Sequence, residues 1–562
     1  MASRSSNSPP TPRQEEAYDQ YGVGRKDASE KTSQGKGCRR RSSVLGKDGD
    51  NTQAYHGSLS AMDRFALEEE EMHRSQPTVT KAELRGWYGY GFASEPYSVV
   101  AMSVFLPIIL ESLAASNGYQ LDRRTPCDVS QPHYKCVMRV VGDWYIDTSS
   151  FPLYVSSLAV ALQALIFVSC GALADHGNWK KTLLLLFSVV GAASGLLLLG
   201  VTGPHLWWLA AISTIIGSIC FGASYVFYYA YIPTLTRYHP QVLEAERSKD
   251  PQVILKITEK ISNGISSHGM ALGYMAGVAL LIVCAGIVAA SEKDMVLYSM
   301  QIGCGLSSLW WLIFSYIPYR NLQSRPGPPL PPGESYIWYS WKQVGRTITS
   351  IRQLNQAFRF LLSWFLLSDG ISTIVTVAIL FGKTALKMPD TQLVIAAIVV
   401  PLAALTGTYF WLYAQRRLGL STRQMSMLLT GLYSLLPLYG LCGFFADFGL
   451  KHPSEVWIVC VYHGLMLGAI QSFCRVLFSE LLPVGKESEF FSLYEITDKG
   501  SAWIGPLVTG AISDATHDLR YSFIFLLAML ILPLLLIWSL DVDQGRKDAA
   551  AYALADKQKR LV

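Results

Sequence analysis

The sequence predicts an all-α membrane protein with twelve transmembrane helices in two six-helix halves, and three observations carry that reading. Half of the 562 residues are hydrophobic and only 16% are charged, the reverse of a soluble chain of this length. Apolar stretches suited to crossing about 30 Å of hydrocarbon recur twelve times along the chain. A segment that cannot be helical, Arg325-Pro-Gly-Pro-Pro-Leu-Pro-Pro-Gly333, falls between the sixth and the seventh.

In chain order, residues 1–80 are rich in Ser, Gly, Pro and charge. They carry an Arg39-Arg40-Arg41-Ser42-Ser43 cluster and an acidic Glu68 to Glu71 run, the composition of a disordered tail with a plausible kinase target. The first half, 81–320, holds apolar spans at Trp87 to Leu113, Phe151 to Leu173, Thr182 to Val201, Leu206 to Ala230, Ser266 to Ala289 and Met295 to Ile317. Residues 321–357 form the linker. The second half, 358–540, holds spans at Phe358 to Phe381, Thr391 to Tyr413, Met425 to Phe445, Val456 to Phe478, Gly500 to Ser513 and Ser522 to Leu540, and 541–562 form a tail.

Twelve spans place both termini on one side. The loops of that side and the C-terminal tail carry 22 Lys and Arg against 9 in the opposite loops, so both termini are expected in the cytosol. The net charge of +5 reports this bias and gives no reason to expect a nucleic-acid partner. The polar first 80 residues contain no signal-peptide core. Cys127 and Cys136 share the one long non-cytosolic loop and are expected to pair in a disulfide where that side is oxidising.

Within the spans, two carboxylates lie beside helix breakers. Ser94-Glu95-Pro96-Tyr97-Ser98 sits in the first span and Ser368-Asp369-Gly370-Ile371-Ser372 in the seventh. An acid in hydrocarbon costs about 3 kcal/mol on insertion scales, and broken backbone is tolerated only where it faces a cavity. Matching broken helices in two halves point to a transporter's binding site. The repeat continues: Glu95 and Asp369 are offset by 274, Pro233 and Pro483 by 250, and the latter offset aligns Tyr225 with Arg475. A parallel two-half repeat joined by a central loop is the plan of the major facilitator superfamily.

Tyr225 and Arg475 are candidate cavity residues, and Gln471, one turn below Arg475 on the same face, extends the polar stripe. His463, mid-span, reads first as a packing residue. Gly269, Gly273 and Gly277 form a small-residue stripe that admits a neighbouring helix closely. Between the second and third spans, Gly171-Ala-Leu-Ala-Asp175-His-Gly177-Asn-Trp-Lys180-Lys181 resembles the superfamily's signature loop. Its glycines permit a tight turn, its lysines anchor the cytosolic side, and Asp175 suits a neighbouring helix N-terminus. Span eleven, expected to open near Lys499, is the partner this reading gives Asp175.

Taken together, Ser94-Glu95-Pro96-Tyr97, Ser368-Asp369-Gly370, Ser266-Ser267-His268-Gly269-Met-Ala-Leu-Gly273-Tyr274, Gln471-Ser-Phe-Cys-Arg475 and Pro483-Val-Gly-Lys-Glu-Ser-Glu-Phe490-Phe491-Ser-Leu-Tyr-Glu495-Ile-Thr-Asp498-Lys499-Gly500 resemble the autophagy-related vacuolar amino-acid effluxer family of fungi. The likeness runs from about residue 81 to 540. It implies export of leucine and other neutral amino acids from the vacuole lumen to the cytosol after autophagic breakdown, by alternating access in the vacuole membrane. The solute moves down its own gradient or with a proton, and no cofactor is expected.

The expected solute-binding residues are Ser94, Glu95, Ser98, Tyr225, Ser368, Asp369, Ser372, Gln471 and Arg475. An amino acid needs an acceptor for its ammonium group, which Glu95 or Asp369 supplies, and a donor for its carboxylate, which Arg475 or an unwound helix terminus supplies. Gly171, Asp175, Gly177, Lys180, Lys181 and Lys499 form the expected gate. A membrane hydrolase acting on vesicles is disfavoured by the absence of Gly-x-Ser-x-Gly and His-Glu-x-x-His patterns. A non-transporting receptor is separated from a carrier only by measuring flux.

Overall fold

A computed structural model describes residues 76–561 apart from 129–135, 329, 331–334, 350–351, 385, 387, 389, 503 and 517. The tail expected at 1–80 therefore lies almost wholly outside the described residues. Among those described, eleven helices are long and apolar enough to cross a membrane. In the first half they are span 1 (Lys81–Ser116), span 2 (Thr148–Ala174), span 3 (Trp179–Gly200), span 4 (Pro204–Arg247), span 5 (Pro251–Ala289) and span 6 (Val296–Asn321). In the second half they are span 7 (Asn355–Thr384), span 8 (Asp390–Leu418), span 9 (Thr422–Cys442), span 10 (Pro453–Ser479) and span 12 (Leu519–Trp538). Span 11 is two pieces, Glu487–Ser501 and Ile504–Thr516.

Span 11 corrects the expected start near Gly500. Gly485 takes the left-handed conformation (φ 82°), which ends the turn after Pro483 and lets a helix begin at Glu487. The helix restarts at Ile504 with Pro506 in its first turn, where the missing N–H has no helical partner to lose.

The breaks expected at Glu95 and Asp369 are also corrected. In span 1 the Pro96 ring crowds the carbonyl of Phe92, four residues back, and removes its donor. The indole of Trp310 donates to that carbonyl at 3.1 Å, and Tyr97–Phe105 continues as a π-helix, so the chain widens without parting. Span 7 runs through Ser368-Asp369-Gly370 without interruption. A helical glycine costs only about 1 kcal/mol, and Gly370 lies against span 12, where an added Cβ would stand 3.2 Å from Leu530.

The glycine stripe of span 5 packs on span 1. A Cβ at Gly269 would meet Trp87 at 2.4 Å, at Gly273 Glu95 at 3.0 Å, and at Gly277 Val99 at 2.8 Å, so the stripe fixes two helices of one half against each other. The face bearing residues 117–128 and 136–147 is the outer face, and the opposite face, bearing residues 76–80 and the C-terminal helix, the inner. The outer loop folds as a three-stranded antiparallel sheet, β1 (Tyr119–Gln120), β2 (Cys136–Val141) and β3 (Trp144–Asp147), with Met138 opposite Ile146 and Gly142 (φ 57°) in the β2–β3 turn. Cys127 and Cys136 are joined by a disulfide.

On the inner face the linker is tied to the signature loop. The Gly327 N–H donates to the Gly177 carbonyl at 2.8 Å and the Gly177 N–H to the Pro328 carbonyl at 3.1 Å, and the buried Arg325 guanidinium meets both oxygens of the buried Glu83 at 2.7 Å. A linker helix, Tyr336–Thr349, packs on span 2, with the Trp341 indole donating to Ser169 at 3.1 Å. A C-terminal helix, Val542–Leu561, closes the chain, and its Arg546 reaches Glu480 at 2.6 Å and Glu259 at 3.4 Å.

Candidate functional site

Between the halves lies a cavity of about 410 Å³, walled by spans 1, 4 and 5 of the first half and 7, 8, 10 and 11 of the second. Its two ends differ in chemistry. Val104, Ile374, Ala378, Ala396, Val456 and Val459 line the part nearer the outer face, where span 10 begins at Pro453. Glu95, Tyr225, Tyr229, Gln471, Arg475, Glu495, Asp498 and Lys499 line the part nearer the inner face. An apolar wall leading to a few convergent polar groups is the usual form of a small-molecule site.

At the polar end every contact follows from helix position. Span 4 and span 10 occupy equivalent places in the two halves, which brings Tyr225 and Arg475 to the same cavity. The Tyr225 hydroxyl donates to Glu95 Oε2 at 2.6 Å and stands 3.2 Å from the Ser94 hydroxyl. Arg475 Nη2 donates to the Tyr229 hydroxyl at 2.8 Å, and the guanidinium carbon lies 3.7 Å from the same ring's centroid. Tyr274 donates to Gln471 at 3.2 Å. Lys499 Nζ donates to Asp498 Oδ2 at 2.7 Å, and the Ser368 hydroxyl donates to Asp498 Oδ1 at 2.5 Å.

Of the expected solute-binding residues, Glu95, Ser98, Tyr225, Gln471 and Arg475 line this cavity. Ser94 is buried behind Tyr225 and Glu95. Asp369 is fully buried off the cavity, where its Oδ1 accepts the Gly505 backbone N–H at 3.2 Å, so it caps the second piece of span 11. Ser368 is held behind Asp498, and Ser372 is exposed on span 7 away from the lining. The twinned acids thus take different places, because the interruption that a buried acid caps is in span 11.

Toward the inner face the halves are closed on each other. Both Asp175 oxygens accept backbone N–H groups at the start of span 11, from Ser488 and Glu489, each at 2.9 Å. Lys180 stands 3.5 Å from Asp175. A Cβ at Gly171 would lie 2.8 Å from the Ser492 hydroxyl, so span 2 and span 11 touch closely. Gly177 turns the loop with φ 59°, and Lys181 donates to the Tyr319 carbonyl at 2.8 Å. Burial pushes Asp175 up to about 6, against the pull of Lys180, so it remains a carboxylate at neutral pH with part of its bonding offset by desolvation. Arg237 reaches Glu487 at 3.5 Å across the same seam, and Ser266 and Ser267 meet Ser472 at 3.1 and 3.0 Å.

Lys499 is the one expected gate residue that lies elsewhere. It belongs to the cavity, three turns into a helix that starts at Glu487. Sequence reasoning also missed Glu495, Asp498, Tyr229 and Tyr494 as cavity residues. Their signal was present in the spacing: 495, 498 and 499 fall three and four apart, on one helical face. Above the gate, Tyr494 stacks on Trp364 (4.9 Å between centroids) and on Phe478 (5.3 Å), forming the aromatic floor between cavity and seam.

A family model described as "Vacuole effluxer Atg22 like" matches residues 79–550. The chain is 34% identical over 560 residues to autophagy-related protein 22-1 of Aspergillus niger, covering 84% of this chain and 90% of that one. It is 36% identical over 539 residues to autophagy-related protein 22 of Pyricularia oryzae, covering 85% and 79%. Among solved structures it superposes on a bacterial homologue of the iron transporter ferroportin with a TM-score of 0.56 at 14% identity, covering 82% of this chain and 99% of that one. A proton:xylose symporter of the major facilitator superfamily gives 0.55 at 14% identity, covering 88% and 99%. These two likenesses establish the major facilitator fold.

Proposed function

The chain belongs to the Atg22-like vacuole effluxer family, and from that premise we propose that it exports neutral amino acids, leucine among them, from the vacuole lumen to the cytosol after autophagic degradation. The observation that carries this reading is the cavity itself. It joins both halves, is apolar toward one face and charged toward the other, and is closed on the inner side by contacts that cross between the halves. A neutral amino acid matches such a wall, with its ammonium and carboxylate at the charged end and its side chain against Val, Ile and Ala.

The Lys and Arg bias supports cytosolic termini, and with that orientation the outer face is luminal and the described arrangement is the one that loads from the vacuole. Release follows when the seam of Asp175, Gly171 and Arg237 parts and the outer ends close, with the two halves rocking about the fixed site. The solute travels down its own gradient or with a proton from an acidic lumen.

Purified protein reconstituted into liposomes preloaded with labelled L-leucine tests the reading. Efflux that saturates and is blocked by excess unlabelled leucine is the expected result. Leucine binding without flux would assign a receptor instead, and neither binding nor flux of any neutral amino acid would overturn the assignment.

A further inference from the structure

The charged end of the cavity holds three carboxylates, Glu95, Glu495 and Asp498, and two cations, Arg475 and Lys499. Each is accounted for except one. Lys499 and Asp498 are paired with each other, Glu95 accepts from Tyr225, and Arg475 is held on the ring and hydroxyl of Tyr229. Glu495, only 4% exposed, lines the cavity with no hydrogen bond or ion pair among the described residues. A buried carboxyl group with no hydrogen-bond partner of its own is costly, and a ligand that supplies a donor relieves that cost.

A cation lines the same end of the cavity: Arg475, 3% exposed, held on the Tyr229 ring and hydroxyl. A cavity-lining acid and a cavity-lining guanidinium are together the complement of a zwitterion.

Resting on the amino-acid reading above, we propose that Glu495 binds the solute's ammonium group while the Arg475 guanidinium binds its carboxylate. Glu95 is then a neighbour that orients Tyr225, and Asp369 is excluded from the site by its place on Gly505. The proposal moves the ammonium site from the first and seventh spans to the first piece of span 11, the piece whose N-terminus Asp175 holds. Solute and inner gate are thus borne on one helix, two turns apart.

The test uses full-length protein in liposomes, with leucine uptake competed by L-leucine or by 4-methylpentanoate, which keeps the side chain and carboxylate but lacks the ammonium group. The parent should prefer leucine by about tenfold or more, the scale of a hydrogen bond to a charged group. Glu495→Gln should lose most of that preference, while Glu95→Gln should retain it. A Glu495→Gln protein that still prefers leucine as the parent does would overturn the proposal while leaving leucine transport intact. A parent that carries no amino acid would overturn the functional reading and this one together.

Should the variant fail to reach the membrane, the parent answers directly through modification of Glu495 by a hydrophobic carbodiimide, followed by peptide mass spectrometry. L-Leucine should slow that modification and 4-methylpentanoate should not. Modification that responds to pH but not to leucine would mean that Glu495 holds only a proton, and the proposal would fall.

Discussion

Replacing Asp175 by Asn should open the inner side of the protein. In the wild type the two carboxylate oxygens each accept one N–H, from Ser488 and from Glu489 at 2.9 Å, at the positive end of span 11. Asn keeps one acceptor and turns an NH₂ group toward the other buried N–H, which is left without a partner. A hydrogen bond to a charged group is worth about 1.5–3 kcal/mol. The relief of burying a carboxylate offsets part of this, leaving a net cost of about 1–2 kcal/mol to the closed arrangement, which corresponds to a roughly five- to thirty-fold larger open population.

A cysteine at Ser492, fully buried and packed on Gly171, reports the opening. With the native free cysteines removed and Cys127 and Cys136 retained, the rate of maleimide labelling at Ser492→Cys should rise by that factor in the Asp175→Asn background, while net flux falls. An unchanged or slower rate would show that Asp175 only shapes the turn and that Arg237, Ser266 or Ser267 hold the seam.

Three further outcomes follow from the geometry. Glu95→Gln should alter leucine flux, because Glu95 orients Tyr225 in the cavity, whereas Asp369→Asn should leave flux within a few-fold and lower the melting temperature, because Asp369 caps Gly505; equal flux defects with equal stability would contradict this division. Replacing Cys127 and Cys136 by Ser should cost the outer loop on the order of 2–3 kcal/mol by the chain-entropy estimate, seen as faster proteolysis between β1 and β2, and no change in cleavage rate would refute it. Arg546→Ala should free the C-terminal helix by removing its ties to Glu480 and Glu259, at about 1.5–3 kcal/mol for the charged bonds, so hydrogen exchange across 542–561 should accelerate while exchange in span 12 stays slow.

The sequence by itself determined the features that depend on a residue and its near neighbours. Hydrophobic length set the spans, because each must satisfy its own backbone in lipid. The proline-rich segment set the division into halves, the repeat set the equivalence of Tyr225 and Arg475, and the signature loop identified Asp175 as an acid seeking a helix N-terminus. Local chemistry misled where a distant atom supplied the compensation. Pro96 reads locally as a break, yet the Trp310 indole donates to the freed Phe92 carbonyl and the helix widens instead. Asp369 reads locally as a cavity acid, yet span 11, more than a hundred residues away, presents it with an N–H to cap. Glu495 stands in the Pro483 to Gly500 motif, but nothing local distinguishes a cavity acid there from any other acid on the helix. Only the tertiary structure, by packing seven helices of two halves around one cavity, decided which charges are paired: Lys499 is held by Asp498 and Arg475 by Tyr229, while Glu495 has no hydrogen bond among the described residues.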